Sequence, residues 1–426
     1  MAESGLREKV VAASAGRDRV LDAVKAVALL IVIVGHSLAW HIRGGTAVNV
    51  LEEAHELVPL TWVFQVLPLF FAAGAVSNAA SLARHGRDGY LRARGRRLLA
   101  PVIVYATVWT VLLLPFGGSP AVVGAGRFLA QLLWFAGVYL LVAAAAVFTS
   151  RWVARPWLTH ILWLTAIVAL DAVRTTDLAA WGWLNMLLVW GWLHQVGYSL
   201  PQLKGRRWTV PAGLGLIAGA VALAFAGPYA HSLISVAGMP GLSNLAPPST
   251  VLAVFGAGQI LLLAGLWPWL ERVLRNDGRW VPIALIGARG MGMYLWHIPL
   301  VGLAAGTAMA LGWSAPALSA QWWAVHILVV LIVVPCAWLL AGVAAAPERA
   351  LLRLKPTRSM PAIACALGGA TVLNTAATGF ATRWGAGAVG LPSSALLNLL
   401  LLWLAFLLAG GGFKGRTPPP APADNR

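Results

Sequence analysis

Of the 426 residues, 59% are hydrophobic and 11% charged, and the mean hydropathy is +0.77. A soluble domain carries about 25% charged residues, so a water-soluble globule is excluded, and the apolar runs of about 20 residues that recur from Val24 to Leu408 read as membrane crossings. The formal net charge of +17 would otherwise point to nucleic acid, a partner that the distribution of the charge argues against.

Residues 1–21 form a polar, basic segment without the features of a signal peptide, because the apolar run behind it is too long and lacks a small-residue cleavage site. The first span is therefore expected to stay in the protein. Hydropathy predicts spans at 22–42, 58–82, 98–115, 128–149, 157–173, 181–199, 209–227, 249–270, 281–311, 321–345, 361–380 and 392–411. With the N-terminus inside, 26 of the 31 Lys and Arg residues fall on one side. Four (Arg43, Arg127, Arg174 and Arg383) fall on the other, and Arg289 sits near the start of the ninth span. This asymmetry predicts a multi-pass protein of the cell membrane with both termini cytoplasmic. The Gly227–Pro248 segment holds no Asp, Glu, Lys or Arg and is long enough to be a lid or re-entrant loop. The Pro-rich tail TPPPAPADNR is expected to be disordered. No internal repeat is visible, which weighs against an inverted-repeat transporter.

Ionisable residues inside spans are functional candidates by default. Lys25 and His36 in the first span are eleven residues apart, so they share a helical face about 16 Å apart along the axis. A cation at the inner mouth with an imidazole above it suits a ligand with an anionic head and a reactive tip. The alternative is a lysine that snorkels to headgroups and a histidine that bonds a neighbouring helix. In GMGMYLWHIPL, Tyr294 and His297 share a face, and Pro299 is expected to kink the helix after them. In WGWLHQVGYSL, His194 and Gln195 are adjacent; an isolated histidine of this kind is more often an interhelical hydrogen bond than a catalyst. Six arginines between Arg84 and Arg97, among them Arg94 and Arg97, could bind phosphate or anionic lipid, although sidedness already explains much of them.

The chain shows no Walker-type loop, no GxSxG elbow, no HExxH and no Cys/His cluster, so no metal site is expected. Cys336 and Cys365 both lie in apolar runs and read as small buried hydrophobes. Asp22 and Glu348 sit at span ends, and Asp171 and Asp177 are on the outer side. The lack of a membrane-embedded carboxylate disfavours a proton-coupled carrier.

Taken together, the motifs resemble the acyltransferase-3 family of integral membrane acyltransferases, in particular its actinobacterial-type branch. RDRVLDAVKAVALLIVIVGHS resembles the family's opening helix, with Lys25 where Arg is usual and His36 eleven positions on. PLFFAAGAVSNAAS resembles the second-span motif, and RARGRRLLAP holds an Arg-x-x-Arg pattern as Arg94 and Arg97. LWFAGVYLL, LVWGWLHQVGYSL, SNLAPPS, MYLWHIPLV and APERALLRL (with Pro347 and Glu348) follow in order through about residues 17–355.

The resemblance implies an all-α polytopic membrane protein of about twelve helices: an acyltransferase-3-like domain at 22–355, two additional helices at 356–412 and a cytoplasmic tail at 413–426. It implies an acyl-CoA-dependent O-acyltransferase that moves an acyl group, commonly acetyl, to an extracytoplasmic hydroxyl on a carbohydrate, a cell-envelope component or a secondary metabolite. Acyl-CoA, commonly acetyl-CoA, would be a co-substrate, with no permanently bound cofactor, and membrane lipids the other partners. His36 would be the general base, Lys25, Arg94 and Arg97 the CoA contacts, and Tyr294, His297 or His194 donors to the developing oxyanion. A lipid or glycan transporter and a catalytically degenerate family member are the alternative readings.

Overall fold

Inside a bilayer each backbone N–H and C=O must be satisfied within the protein, and an apolar run achieves this locally by coiling into a helix. The computed structural model describes residues 2–14, 16–356, 359–387, 390 and 392–410. The tail at 413–426 lies outside the described residues.

In chain order the elements are α1 (Ala2–Ala13), α2 (Arg19–Leu38), the strands β1 (Trp40–Arg43) and β2 (Thr46–Asn49), α3 (Leu60–Phe64), α4 (Leu67–Leu113), α5 (Pro120–Ala130) and α6 (Leu133–Thr149). There follow α7 (Pro156–Val173), α8 (Asn185–Gly197), α9 (Leu200–Leu203), α10 (Thr209–Ala226), α11 (Thr250–Leu274) and α12 (Asp277–Ala288). The last four are α13 (Gly290–Ala310), α14 (Ala320–Arg353), α15 (Pro361–Thr378) and α16 (Ala395–Leu408).

α4 is two legs joined at Gly86, whose φ of 65° and ψ of 178° no L side chain adopts comfortably. The legs run in opposite directions. Phe70 on the first packs on Phe135 at the start of α6, and Tyr105 on the second bonds the Leu129 carbonyl at the end of α5, just before it. Tyr90, near the turn, bonds the Ala143 carbonyl further along α6. Among the described residues nine helices are long and apolar enough to cross a membrane, α4 counted as one. Its two legs counted separately make ten, and α5 and α16 are shorter apolar helices. The protein is an all-α polytopic membrane protein, as the composition predicts.

Two predicted spans change at their ends. The first stops at Leu38 rather than 42, because Trp40–Arg43 pairs antiparallel with Thr46–Asn49. Gly44 and Gly45 supply the two positive φ angles of a two-residue hairpin turn. The ninth is not continuous over 281–311 but broken at Arg289, whose guanidinium stacks 3.5 Å from the Trp338 ring and donates to the Trp338 carbonyl. α12 instead packs at the basic end, where Asp277 pairs with Arg19 and the Trp280 indole donates to Ser14.

Two buried charges tie the bundle together at opposite ends. Arg96 donates to the carbonyls of Leu351, Leu352 and Leu354 at the end of α14 and of Gly410 after α16. The last carbonyls of a helix are the ones left short of internal partners, although Leu351 also accepts from Leu354 N–H. At the charge-poor end, Asp171 is 3% exposed and accepts from Arg174, Asn185, Tyr229 and both the backbone and hydroxyl of Thr250. Burial and then the adjacent Asp171 carboxylate push the Tyr229 hydroxyl up to about 12, so it remains a donor. Cys336 and Cys365 are both free thiols, the second buried.

Removing the Asp171 carboxylate would strand the buried Arg174 guanidinium. Asp171→Ala should therefore cost about 3–5 kcal/mol of stability, the usual penalty for breaking a buried pair. A thermal melt in detergent reads this directly, and an unchanged midpoint would show that the network contributes little.

Candidate functional site

α2 begins where Asp18 caps it, accepting from the backbone N–H of Val20 and Leu21. That fixes the register in which Lys25 and His36 share one face. Lys25 turns into the bundle rather than out to lipid, and its ammonium donates to Ser77 Oγ at 2.8 Å. Ser77 passes its own proton to the Ala73 carbonyl. Next to it, Asn78 meets His194 Nε2 at 2.9 Å. Arg94 comes from the returning leg of α4, with its guanidinium 5.7 Å from the Tyr90 ring and within electrostatic reach of Lys25 and His194. Lys25, Arg94 and His194 thus form one cluster in the half of the bundle nearer the basic end. In the residues next to Ser77 and His194, Asn78 Oδ1 and Gln195 Oε1 are buried without partners among the described residues.

Arg97 stands apart. It is exposed, while its neighbour Arg96 is the buried residue of the pair.

Three turns along α2, His36 lies against α13. His36 Nδ1 and His297 Nε2 are 3.2 Å apart, and His297 Nδ1 lies 3.2 Å from the Met293 carbonyl. This arrangement assigns the protons. A carbonyl only accepts, so His297 carries its hydrogen on Nδ1 and presents a lone pair at Nε2. His36 must then donate from Nδ1, which leaves its Nε2 unprotonated. His36 also lines a cavity of about 210 Å³ at the charge-poor end, so the unprotonated nitrogen is the one left for a ligand. An imidazole held in one tautomer by a second group is the arrangement that general-base chemistry requires.

The cavity is walled by α2, α3, the start of α6, Tyr294 of α13 and the start of α14. The Gly227–Pro248 segment crosses it as an ordered strap that contributes Ile234 and Leu245. Bonds from α3 and the residue that follows it hold one part of the strap: Trp62 donates to the His231 carbonyl, Gln65 to the Leu233 carbonyl, and Thr61 accepts from Leu233 N–H. Asp171 and Arg174 hold the rest through Tyr229 and the Ser243 carbonyl.

The expected oxyanion donors fare unevenly. Tyr294 lines the cavity, but its hydroxyl is committed to the Leu132 carbonyl. The one proton of neutral His297 is on Met293, and His194 stands with Lys25, three turns away from His36. Three features went unread in the sequence. The Gly44–Gly45 pair carried the hairpin signal, and Ser77–Asn78 stood out as a polar pair in an apolar run. Nothing local marked Arg96, rather than Arg97, as the buried arginine.

A helical membrane protein with an oriented imidazole at the floor of a cavity and a cationic cluster below it has the parts for group transfer within the membrane. A family model described as an acyltransferase domain matches residues 18–342. The match runs from the cap of α2 into α14, and the chain belongs to the acyltransferase-3 family: it is a membrane acyltransferase. α15 and α16, with the APERALLRL motif, lie beyond the matched residues. No curated protein and no solved structure matches the chain.

If His297 acts by holding the His36 tautomer, its replacement should depend on chemistry and not only on volume. His297→Gln keeps an acceptor where Nε2 stood and should retain much of the turnover. His297→Ala should lose on the order of 10–100-fold, as removal of an orienting partner does elsewhere, with little change in KM for the acyl donor. Equal losses in both variants would discard the hydrogen bond as the cause.

Proposed function

We propose that the protein transfers an acyl group, commonly acetyl, from acyl-CoA to the hydroxyl of an acceptor, with His36 Nε2 as the general base. The observation that carries this reading is the proton chain Met293–His297–His36, which leaves a lone pair at the cavity. The acceptor hydroxyl gives its proton to Nε2 as its oxygen attacks the thioester carbonyl. The new C–O bond forms, the C–S bond breaks, and the imidazolium returns the proton to the departing thiolate. The products are the ester and free CoA. His297 stabilises the imidazolium by accepting from its Nδ1.

Lys25 and Arg94 take the CoA phosphates in this reading. Neither forms an ion pair with a carboxylate among the described residues, and Asn78 Oδ1 and Gln195 Oε1, beside Ser77 and His194, are buried without partners there. Such atoms are where a polar ligand finds bonding capacity. The pantetheine arm then spans the about 16 Å of helix from Lys25 to His36. Arg97, on the exposed face, is assigned to headgroups instead. The 26-to-4 charge split supports a cytoplasmic basic end, a cell-membrane location and cytoplasmic termini, so the donor arrives from the cytoplasm and the acceptor from the opposite side.

Lys25 tests the donor site. Lys25→Met keeps the stem and loses the charge; one charge-assisted contact is worth roughly 1.5–3 kcal/mol, so acetyl-CoA binding should weaken about ten- to a hundredfold. Lys25→Arg should preserve or tighten binding. Calorimetric titration of the three purified proteins decides. Equal affinities would remove Lys25 from the donor site, and no binding by any of them would overturn the acyl-CoA reading.

A further inference from the structure

The walls of the His36 cavity say what kind of hydroxyl they can receive. No Asp, Glu, Lys or Arg lines it. Its surface comes mainly from aliphatic and aromatic side chains, among them Leu51, Leu57, Phe64, Trp134, Phe135 and Trp323. Most of its few polar side chains are committed, the buried Trp322 indole N–H being an unpaired exception among the described residues. Thr61 donates to the Val58 carbonyl and accepts from Leu233, the Gln65 amide donates to the Leu233 carbonyl, the Asn49 carbonyl caps Leu51, and Tyr294 bonds Leu132.

A sugar ring brings several hydroxyls, and each one buried without a partner carries a desolvation penalty. One hydroxyl, by contrast, is met by His36 Nε2. The cavity is smaller than the ~300–1,000 Å³ of drug-sized pockets, so it takes a small alcohol or the head of a larger one. Its flank also meets the membrane. Leu60 lines the cavity and is 42% exposed, and Val63 beside it on α3 is 65% exposed.

We infer that the acceptor is an alcohol carried on an apolar body, a lipid-dissolved or terpenoid-type hydroxyl rather than a free saccharide, and that it reaches His36 from the bilayer beside α3. The inference rests on the acyl-transfer reading above and narrows its acceptor. The reaction is then ester formation at a single hydroxyl: its proton goes to His36 Nε2, its oxygen to the acyl carbon, and the thiolate leaves as CoA. Polar acceptors are disfavoured by the scarcity of free bonding groups, chiefly the Trp322 indole N–H beside His36 Nε2, and the apolar body is retained by the walls.

The test compares geraniol with methyl glucoside on the full chain in nanodiscs, with acetyl-CoA as donor. Free CoA thiol reports turnover, and fluorescence of the cavity tryptophans reports binding without turnover. Geraniol should bind saturably and stimulate CoA release, and methyl glucoside should do neither. Leu57→Trp fills the cavity away from the catalytic pair and should raise the KM for geraniol about tenfold while leaving that for acetyl-CoA unchanged. Methyl glucoside driving CoA release where geraniol does not would overturn the acceptor assignment and leave acyl transfer standing. A Leu57→Trp variant that changes the preferred acyl chain length, and not the acceptor KM, would give the cavity to the donor's tail instead. Geraniol that binds without CoA release would overturn the acyl-CoA reading, and the acceptor role with it, leaving only an apolar lipid site.

Discussion

The hydrogen bond between His36 and His297 is the constraint on which the rest of the site depends. Two imidazoles from helices 261 residues apart in sequence share one proton position, and the Met293 carbonyl settles which way the chain of donors runs. His297 and His326 turn Nδ1 to the carbonyl four positions back in their own helices, and His36 bonds the Val32 backbone in the same way while also meeting His297. The bond to His297 leaves His36 Nε2 as the acceptor of a residue that lines the cavity. The second imidazole plays the part that a carboxylate plays beside many catalytic histidines, but brings no charge into the bilayer, where an unpaired carboxylate would be expensive.

The surrounding fold holds this pair between two differently built chambers. On the basic side stand Lys25, Arg94 and buried polar atoms. On the other side the wall is apolar and closed by the strap from Gly227 to Pro248. The strap owes its position to polar bonds at both flanks, from Asp171 and Arg174 on one and from Thr61, Trp62 and Gln65 on the other. Arg96 performs the equivalent service at the basic end, holding α14 and α16 by their terminal carbonyls. Thus α15 and α16, outside the family match, are attached to the returning leg of α4 that carries Arg94.

Much of this was legible in the sequence because the bilayer leaves few choices. Hydropathy gives the helices, and the eleven-residue spacing puts Lys25 and His36 on one face. The pairing of His36 with His297 was not legible, since nothing in a one-dimensional pattern states which helices adjoin. Arg96 and Arg97 were indistinguishable for the same reason: burial at one of two adjacent arginines is decided by the α14 and α16 termini. The buried network of Asp171 was not legible because its five donors come from residues scattered between 174 and 250. The hairpin at Gly44–Gly45 was hidden inside an apolar run, where length outweighed the turn signal.

The proton placement can be observed directly. Nitrogen-15 NMR of histidine-labelled protein in nanodiscs, with His36→Gln and His297→Gln variants for assignment, separates protonated from unprotonated ring nitrogens. The structure predicts that at neutral pH both His36 and His297 carry hydrogen on Nδ1, with His36 Nε2 unprotonated. A hydrogen on His36 Nε2 would contradict the account, because the nitrogen that faces the cavity could then accept no proton.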